Sequence, residues 1–368
     1  MSVSRPVLDP TKVAPGDARV WLSRSVADPG RLLLRIGTGL GVLALAALLA
    51  VATGAVQVPP AAAATIVVNH LPFVDLHLTY PETWDTIVWQ LRLPRIVLAA
   101  LVGAALALSG GTYQGLFRNP LADPYLIGVA GGAGLGATIV LITSVPSNLG
   151  GVSLLPIAAF AGATLAVTAA YLVSKRAGGI SLTTLILAGV AISSLAGGFT
   201  GLLMIRASPD VRPLLGWLFG GFVGAGWDEV RVVIPYLLVG AAGMIAHGRV
   251  LNVMQIDEDE ARQLGVNVER TKVVLIVLAT LTTAAAVSVS GLIGFVGLIA
   301  PHAVRLVWGR DYRVLLPLAA LAGATFLILA DLVARTAAAP SELPVGLITA
   351  MCGAPFFIYL LMRRRAIS

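Results

Sequence analysis

Few side chains in this chain could do chemistry, and they fall in two places. The first is the run Asp257-Glu258-Asp259-Glu260-Ala261-Arg262-Gln263-Leu264-Gly265-Val266, part of the most charged stretch of the sequence. Four acids open it, where carboxylates complement the positive end of a helix. Ala261 and Leu264 give an apolar edge, and Gly265 supplies a C-terminal stop. The pattern predicts a short amphipathic helix with two uses open to it: a solvated loop, or a docking surface for a soluble partner. The second place is Asp331, the one acid inside an apolar run. A charge at mid-bilayer costs about 2.5–3.5 kcal/mol on insertion scales, so it needs a partner. Arg335 stands one turn on, in the favourable acid-before-base order. A structural ion pair is the expectation; one buried acid leaves a proton relay little to work with.

The remaining candidates exclude more than they propose. None of the three lysines, Lys12, Lys175 and Lys272, follows a glycine. The Gly-Lys-Ser/Thr loop that cradles nucleotide phosphates is therefore missing. His70, His77, His247 and His302 are scattered and Cys352 is alone, so neither a metal-ligand spacing nor a disulfide framework is expected. His302 follows Pro301 and reads as a helix-break residue. No catalytic set and no metal site are expected.

The elements that must position these residues are membrane helices. Of 368 residues, 57% are apolar and 12% charged, against about 25% charge in soluble domains. The net charge of +7 does not point to nucleic acid, because the charges sit in short gaps between apolar runs. At about 20 apolar residues per span, ten spans fit, near 36–58, 96–115, 125–145, 154–173, 182–204, 230–246, 273–290, 292–308, 315–334 and 345–362. With both termini inside, only Arg92, Arg95, Arg206, Arg212, Arg231 and Arg335 fall outside, among 25 Lys and Arg. That asymmetry fits the positive-inside rule. The expected fold class is all-α: a polytopic membrane protein of about ten helices in a domain over residues 32–368, after a polar cytoplasmic extension over 1–31. The first apolar run is longer than the core of a secretory signal, so it reads as a retained span. Residues 59–95 form a long outer loop with Trp84 and Trp89. Residues 205–229 hold a half-helix within Leu214–Val223, and Ser290-Gly291 marks a tight turn or a broken helix. Small residues crowd the spans, as in Val102-Gly103-Ala104-Ala105, and let helix backbones approach closely.

In this setting the chain resembles the permeases of the FecCD type, the type II ATP-binding-cassette importers for iron-siderophores, haem and cobalamin. The resemblance runs over about residues 32–365. Its motifs are Arg92-Leu93-Pro94-Arg95, Val102 to Gly110, Gln114, Arg118-Asn119-Pro120-Leu121-Ala122-Asp123-Pro124, Leu187-Ala188-Gly189-Val190, Trp217 and Gly220. They continue with Ala261 to Gly265, Gly294-Phe295-Val296-Gly297-Leu298-Ile299-Ala300-Pro301-His302, Ala330-Asp331-Leu332-Val333-Ala334-Arg335 and Glu342-Leu343-Pro344-Val345-Gly346.

The resemblance implies a homodimer around a central translocation pathway, in the cell membrane of a prokaryote. It also implies two cytoplasmic ATPase subunits that use ATP and Mg, with no cofactor bound by this chain. An extracytoplasmic binding protein would dock through Arg92, Arg95 and Arg335. Asn119, Leu121, Leu182 and Thr183 match the cytoplasmic gates, and the segment 257–266 matches the helices that couple to the ATPase. The chain would then carry a metal chelate and hydrolyse nothing itself. The alternative is a stand-alone secondary carrier or channel, against which the shortage of buried acids argues.

Overall fold

The computed structural model describes residues 29–54, 56–70, 80–142, 148–149, 152–177, 181–206 and 211–365. Most of the expected extension, and His77 in the outer loop, lie outside the described residues. In chain order the helices are α1 (Pro29–Ala52), α2 (Pro60–Asn69) and α3 (Glu82–Asp85), which continues through a π-helical stretch, Thr86–Arg92, into α4 (Leu93–Leu116). A 3-10 turn (Pro124–Ile127) precedes α5 (Val129–Ile142), and a two-residue hairpin (Asn148–Leu149, Val152–Ser153) precedes α6 (Leu154–Arg176). Then come α7 (Leu182–Arg206), α8 (Arg212–Phe219), α9 (Trp227–Ala246), α10 (Gly248–Met254), α11 (Glu258–Gln263), α12 (Val268–Ser290), α13 (Val296–Trp308), α14 (Tyr312–Thr336) and α15 (Val345–Arg365).

A helix occupies each of the ten apolar runs. Among the described residues, seven stretches are long and apolar enough to cross a membrane, while the apolar stretches Val129–Ile142, Val296–Trp308 and Val345–Tyr359 are shorter, so ten spans is an approximate description. Among the described residues the first helix runs over Pro29–Ala52 and takes in residues 29–31. The second span is longer than its apolar core, reaching from Glu82 to Leu116 as one 35-residue stretch.

Glycine decides which helices touch. On α4, a methyl group at Gly103 would collide with the carbonyl oxygen of Gly323 on α14, and one at Gly110 with that of Gly297 on α13. On α5, Gly132 faces Gly162, and Gly136 faces the Ala158 carbonyl, both on α6. Without a hydrophobic drive between helices in lipid, this backbone-level contact is what dispersion can use. The apolar helix α12 lies between the two groups and packs on α4, α6 and α9.

The junction at residue 290 is a broken helix. Gly291 ends α12 with φ +68°, and Phe295, also at φ +68°, opens α13. Irregular backbone at membrane depth must find partners inside the protein, and here it does. The Gly221 N–H donates to Ser290 O at 2.8 Å, and the Ile293 N–H to the Tyr125 hydroxyl at 3.1 Å. The expected half-helix is α8, stopped by Gly220 at φ +67°.

Candidate functional site

At the end of the bundle where α4 starts and α14 finishes, five charged residues converge. Arg95 donates three hydrogen bonds to Asp331, at 2.8, 3.0 and 3.1 Å, and two to Glu342, at 2.9 and 3.1 Å. The Asp331 side chain is 1% exposed and that of Arg95 13%. The partner expected for Asp331 was Arg335, which stands one turn on but only at 3.7 Å. Arg95, 236 positions away, is the closer one.

Arg335 and Arg92 do something else. Arg92 donates to the carbonyls of Val51, at 2.6 Å, and Val56, and Arg335 donates to that of Ala50. Both guanidiniums therefore cap the C-terminal end of α1, where unpaired carbonyls carry partial negative charge. Gly54 leaves the room: a methyl group there would lie 2.6 Å from an Arg92 guanidinium nitrogen. Of the three arginines expected at a dock, Arg92 is buried and the Arg335 side chain is 7% exposed. Arg95 comes nearest the surface, beside a half-exposed Glu342. The cap had no sequence signal, because it joins residues about forty and nearly three hundred positions apart. Next to this cluster opens a cavity of about 560 Å³, with Arg95, Glu342, Glu229, Trp217, Ser288 and Ser290 in its wall.

At the other end, the segment between α4 and α5 folds back on itself. Arg118 takes φ +51°, and the Asn119 side-chain oxygen accepts the Leu121 N–H at 2.9 Å. Asp123 accepts the Tyr125 N–H at 2.8 Å and so caps the 3-10 turn. Burial pushes the Asp123 carboxyl up to about 6, the Tyr125 hydrogen bond working against the shift. That turn lies directly on α7, where a methyl group at Gly189 would meet the Ile127 backbone. Of the expected gate residues, Asn119 and Leu121 stand just before this turn, and Leu182 and exposed Thr183 at the start of α7. The Leu182 side chain lies outside the described residues. Gln114 braces this region, donating to Gly297 O at 3.1 Å and accepting from Arg305 at 2.9 Å. Its side chain is 1% exposed.

The charged run expected at 257–266 is a helix with both ends fixed. Asp257 is the N-cap of α11, accepting the Glu258 N–H. Gly265, at φ +84°, turns the chain so that the Val266 N–H reaches Ala261 O at 3.0 Å. Lys272 on α12 pairs with Glu258 at 2.8 Å, Arg118 with Asp257 at 3.4 Å, and Arg262 with Asp259 at 2.6 Å. Glu260 is exposed. The expected apolar edge divides: Ala261 is fully buried against the protein, whereas Leu264 is 68% and Ile256 62% exposed.

A bundle of apolar helices with a charged cavity at one end and, at the other, a braced charged helix flanked by exposed Ile256 and Leu264 belongs to the class of membrane permeases. The chain is a member of the FecCD transport family, whose pattern matches residues 42–363. It is 46% identical over 335 residues to the cobalamin import system permease protein BtuC of Halobacterium salinarum, covering 88% of this chain and 89% of that one. It is 42% identical over 301 residues to the hemin transport system permease protein HmuU of Yersinia pestis, covering 79% and 90%. Among solved structures, one assigned to the metal-chelate type of ABC transporter, in an inward-facing conformation, superimposes with a TM-score of 0.76 at 29% identity. That match covers 90% of this chain and 99% of the other.

Proposed function

We propose that this protein is the membrane-spanning subunit of an ATP-driven importer for a metal chelate: cobalamin, haem or an iron-siderophore. Two copies would surround the pathway, with two ATPase subunits on the α11 side and a binding protein on the Arg95 side. Both termini would then be cytoplasmic. The observation that carries this reading is α11. A six-residue helix is too short to hold itself in water, yet this one is pinned by Asp257, Lys272 and Arg118 while Ile256 and Leu264 point away from the protein. Exposed apolar side chains on a rigid, charged rim suit the cleft of a soluble partner, as interface anchors do. ATP and Mg belong to that partner.

The remaining site residues take their places in the same scheme. Arg95 and Glu342 offer the binding protein one charge of each sign, above a platform that Arg92 and Arg335 hold to α1. Asn119, Leu121, Leu182 and Thr183 close the pathway at the opposite end. Affinity for cargo resides in the binding protein.

The test is Leu264→Arg, assayed in liposomes with the cognate ATPase and loaded binding protein. The variant should insert and dimerise normally, because residue 264 touches water. It should lose cargo-stimulated ATP hydrolysis, since a charge would enter an apolar interface without a partner. Wild-type coupling in the variant would sink the reading. Cargo uptake by the purified chain without any ATPase would favour a stand-alone carrier instead.

A further inference from the structure

A second feature lies on helices α6 and α12, apart from the Arg95 cluster and the cavity beside it. Antiparallel helices α6 and α12 leave a groove of about 280 Å³ between them, lined by Thr164, Thr168, Tyr171, Leu172, Ile276 and Val277 among others. Thr164 and Thr168 spend their hydroxyls on carbonyls one turn back, at 2.9 and 2.7 Å, and Thr280 shares its own with Tyr113 at 3.1 Å. They therefore present mainly methyl groups. From Leu172 back to Thr164 the groove runs eight residues, about 12 Å along the helix. That is close to one leaflet of a hydrocarbon core about 30 Å thick.

The mouth of this groove is basic. On α6 the lining positions 164, 168 and 171 continue one turn on to Lys175. On α12 the lining positions 280, 277 and 273 continue one turn back to Arg270. Both stripes keep helical spacing, so both cations stand over the same end of the groove. Lys175 and Arg270 are exposed, and neither forms an ion pair with a described residue. Arg176 is beside them. The nearest acid in sequence, Glu269, faces Lys272 at 3.9 Å.

We infer that the α6–α12 groove is a binding site for an anionic phospholipid, with one acyl chain between the helices and the phosphate between Lys175 and Arg270. An apolar slot of leaflet depth under two unneutralised cations has the chemistry of that molecule. A zwitterionic lipid would fill the slot but bring a cation of its own to the mouth. Basic mouths between membrane helices recognise anionic headgroups in this way.

The experiment uses the full chain in neutral detergent, titrated with phosphatidylglycerol or with phosphatidylcholine of the same acyl chains. Thermal unfolding and native mass spectrometry provide the readouts. Wild type should retain one phosphatidylglycerol per protomer, with at least a tenfold preference over phosphatidylcholine and a matching rise in unfolding temperature. Lys175→Gln with Arg270→Gln should abolish the preference and leave phosphatidylcholine binding as it was. Thr168→Trp, which fills the slot and keeps both cations, should lose the retained lipid. Glycerol phosphate, a headgroup without a chain, should give no shift. Equal binding of the two lipids by wild type, an unchanged preference in the double variant, or an equal response to glycerol phosphate would overturn the inference. So would a fall in oligomeric state on Thr168→Trp without added lipid, which would make the groove a contact between copies of the chain.

Discussion

Replacing Arg95 by Gln should destabilise the protein before it touches any partner. The substitution removes the side chain that gives Asp331 three hydrogen bonds and leaves a carboxylate 1% exposed, with Arg335 at 3.7 Å as its remaining cation. Breaking a buried pair from one side costs about 3–5 kcal/mol. Arg335 is still present, so the lower end applies, about 3 kcal/mol. The bonds to half-exposed Glu342 add little, since exposed pairs are worth about 0–1 kcal/mol. Asp331→Asn in the same background removes the orphaned charge and should restore about 2 kcal/mol, a coupling energy usual for residues in contact. The assay is a double-mutant cycle of thermal unfolding in detergent over wild type, both single variants and the double. A single variant as stable as wild type, or a double variant no better than Arg95→Gln, would refute the reasoning. The cycle also makes the docking role testable. Binding-protein affinity should be compared at low and high salt between Asp331→Asn and the double variant, which differ only at Arg95. A weaker, less salt-sensitive complex in the double variant supports the dock. Equal affinity at both salts removes Arg95 from it.

Three further outcomes are expected. Gly110→Val places a side chain where the Gly297 carbonyl already stands, so α4 and α13 must part; cost above about 3 kcal/mol, read as loss of folded protein in detergent, is expected from overpacking, and a wild-type yield and unfolding temperature would contradict it. Asp123→Asn keeps the cap on the 3-10 turn but cannot ionise; because the folded carboxyl titrates near 6, above its ordinary 3.8, wild type loses stability as pH rises from about 4 to 6, so the variant should gain unfolding temperature at pH 8 but not at pH 4, and parallel pH profiles would count against it. Cysteine at Leu182, in a Cys352→Ala background, should cross-link to its mate across the dimer in the resting state and less so when the pathway opens inward; labelling independent of state, with no cross-link, would take this position out of the gate.

The ten apolar runs were legible because each buries or wets a full helix length, a signal that survives without tertiary knowledge. So was α11, since its acids, its buried Ala261 and its Gly265 stop all act within ten residues. Two kinds of feature were not legible. Helix α2 and the π-helical stretch before α4 are short, and both fall within residues 59–95, which read from sequence as an outer loop. The charge partnerships were the other. Sequence could offer Asp331 only its neighbour one turn on, whereas the closer cation comes from another helix. Arg92 and Arg335 look like outward charges by topology, yet they turn inward because the end of α1 has carbonyls to satisfy. The sorting of apolar residues within α11 also needed the fold: Ala261 meets the protein and Leu264 does not.

The glycine contacts have a mechanical consequence. Helices α4, α13 and α14 are joined at backbone distance through Gly103, Gly110, Gly297 and Gly323, and α5 is joined to α6 through Gly132, Gly136 and Gly162. Where a glycine already meets the carbonyl of the facing helix, neither helix slides past the other without first lifting away, so each group acts as one plate. The plates meet across side chains of α12 and through the folded segment from Arg118 to Gly128. Side-chain interfaces shear at far smaller cost than backbone ones. A movement of one plate against the other would therefore meet least resistance along α12, the helix packed between them.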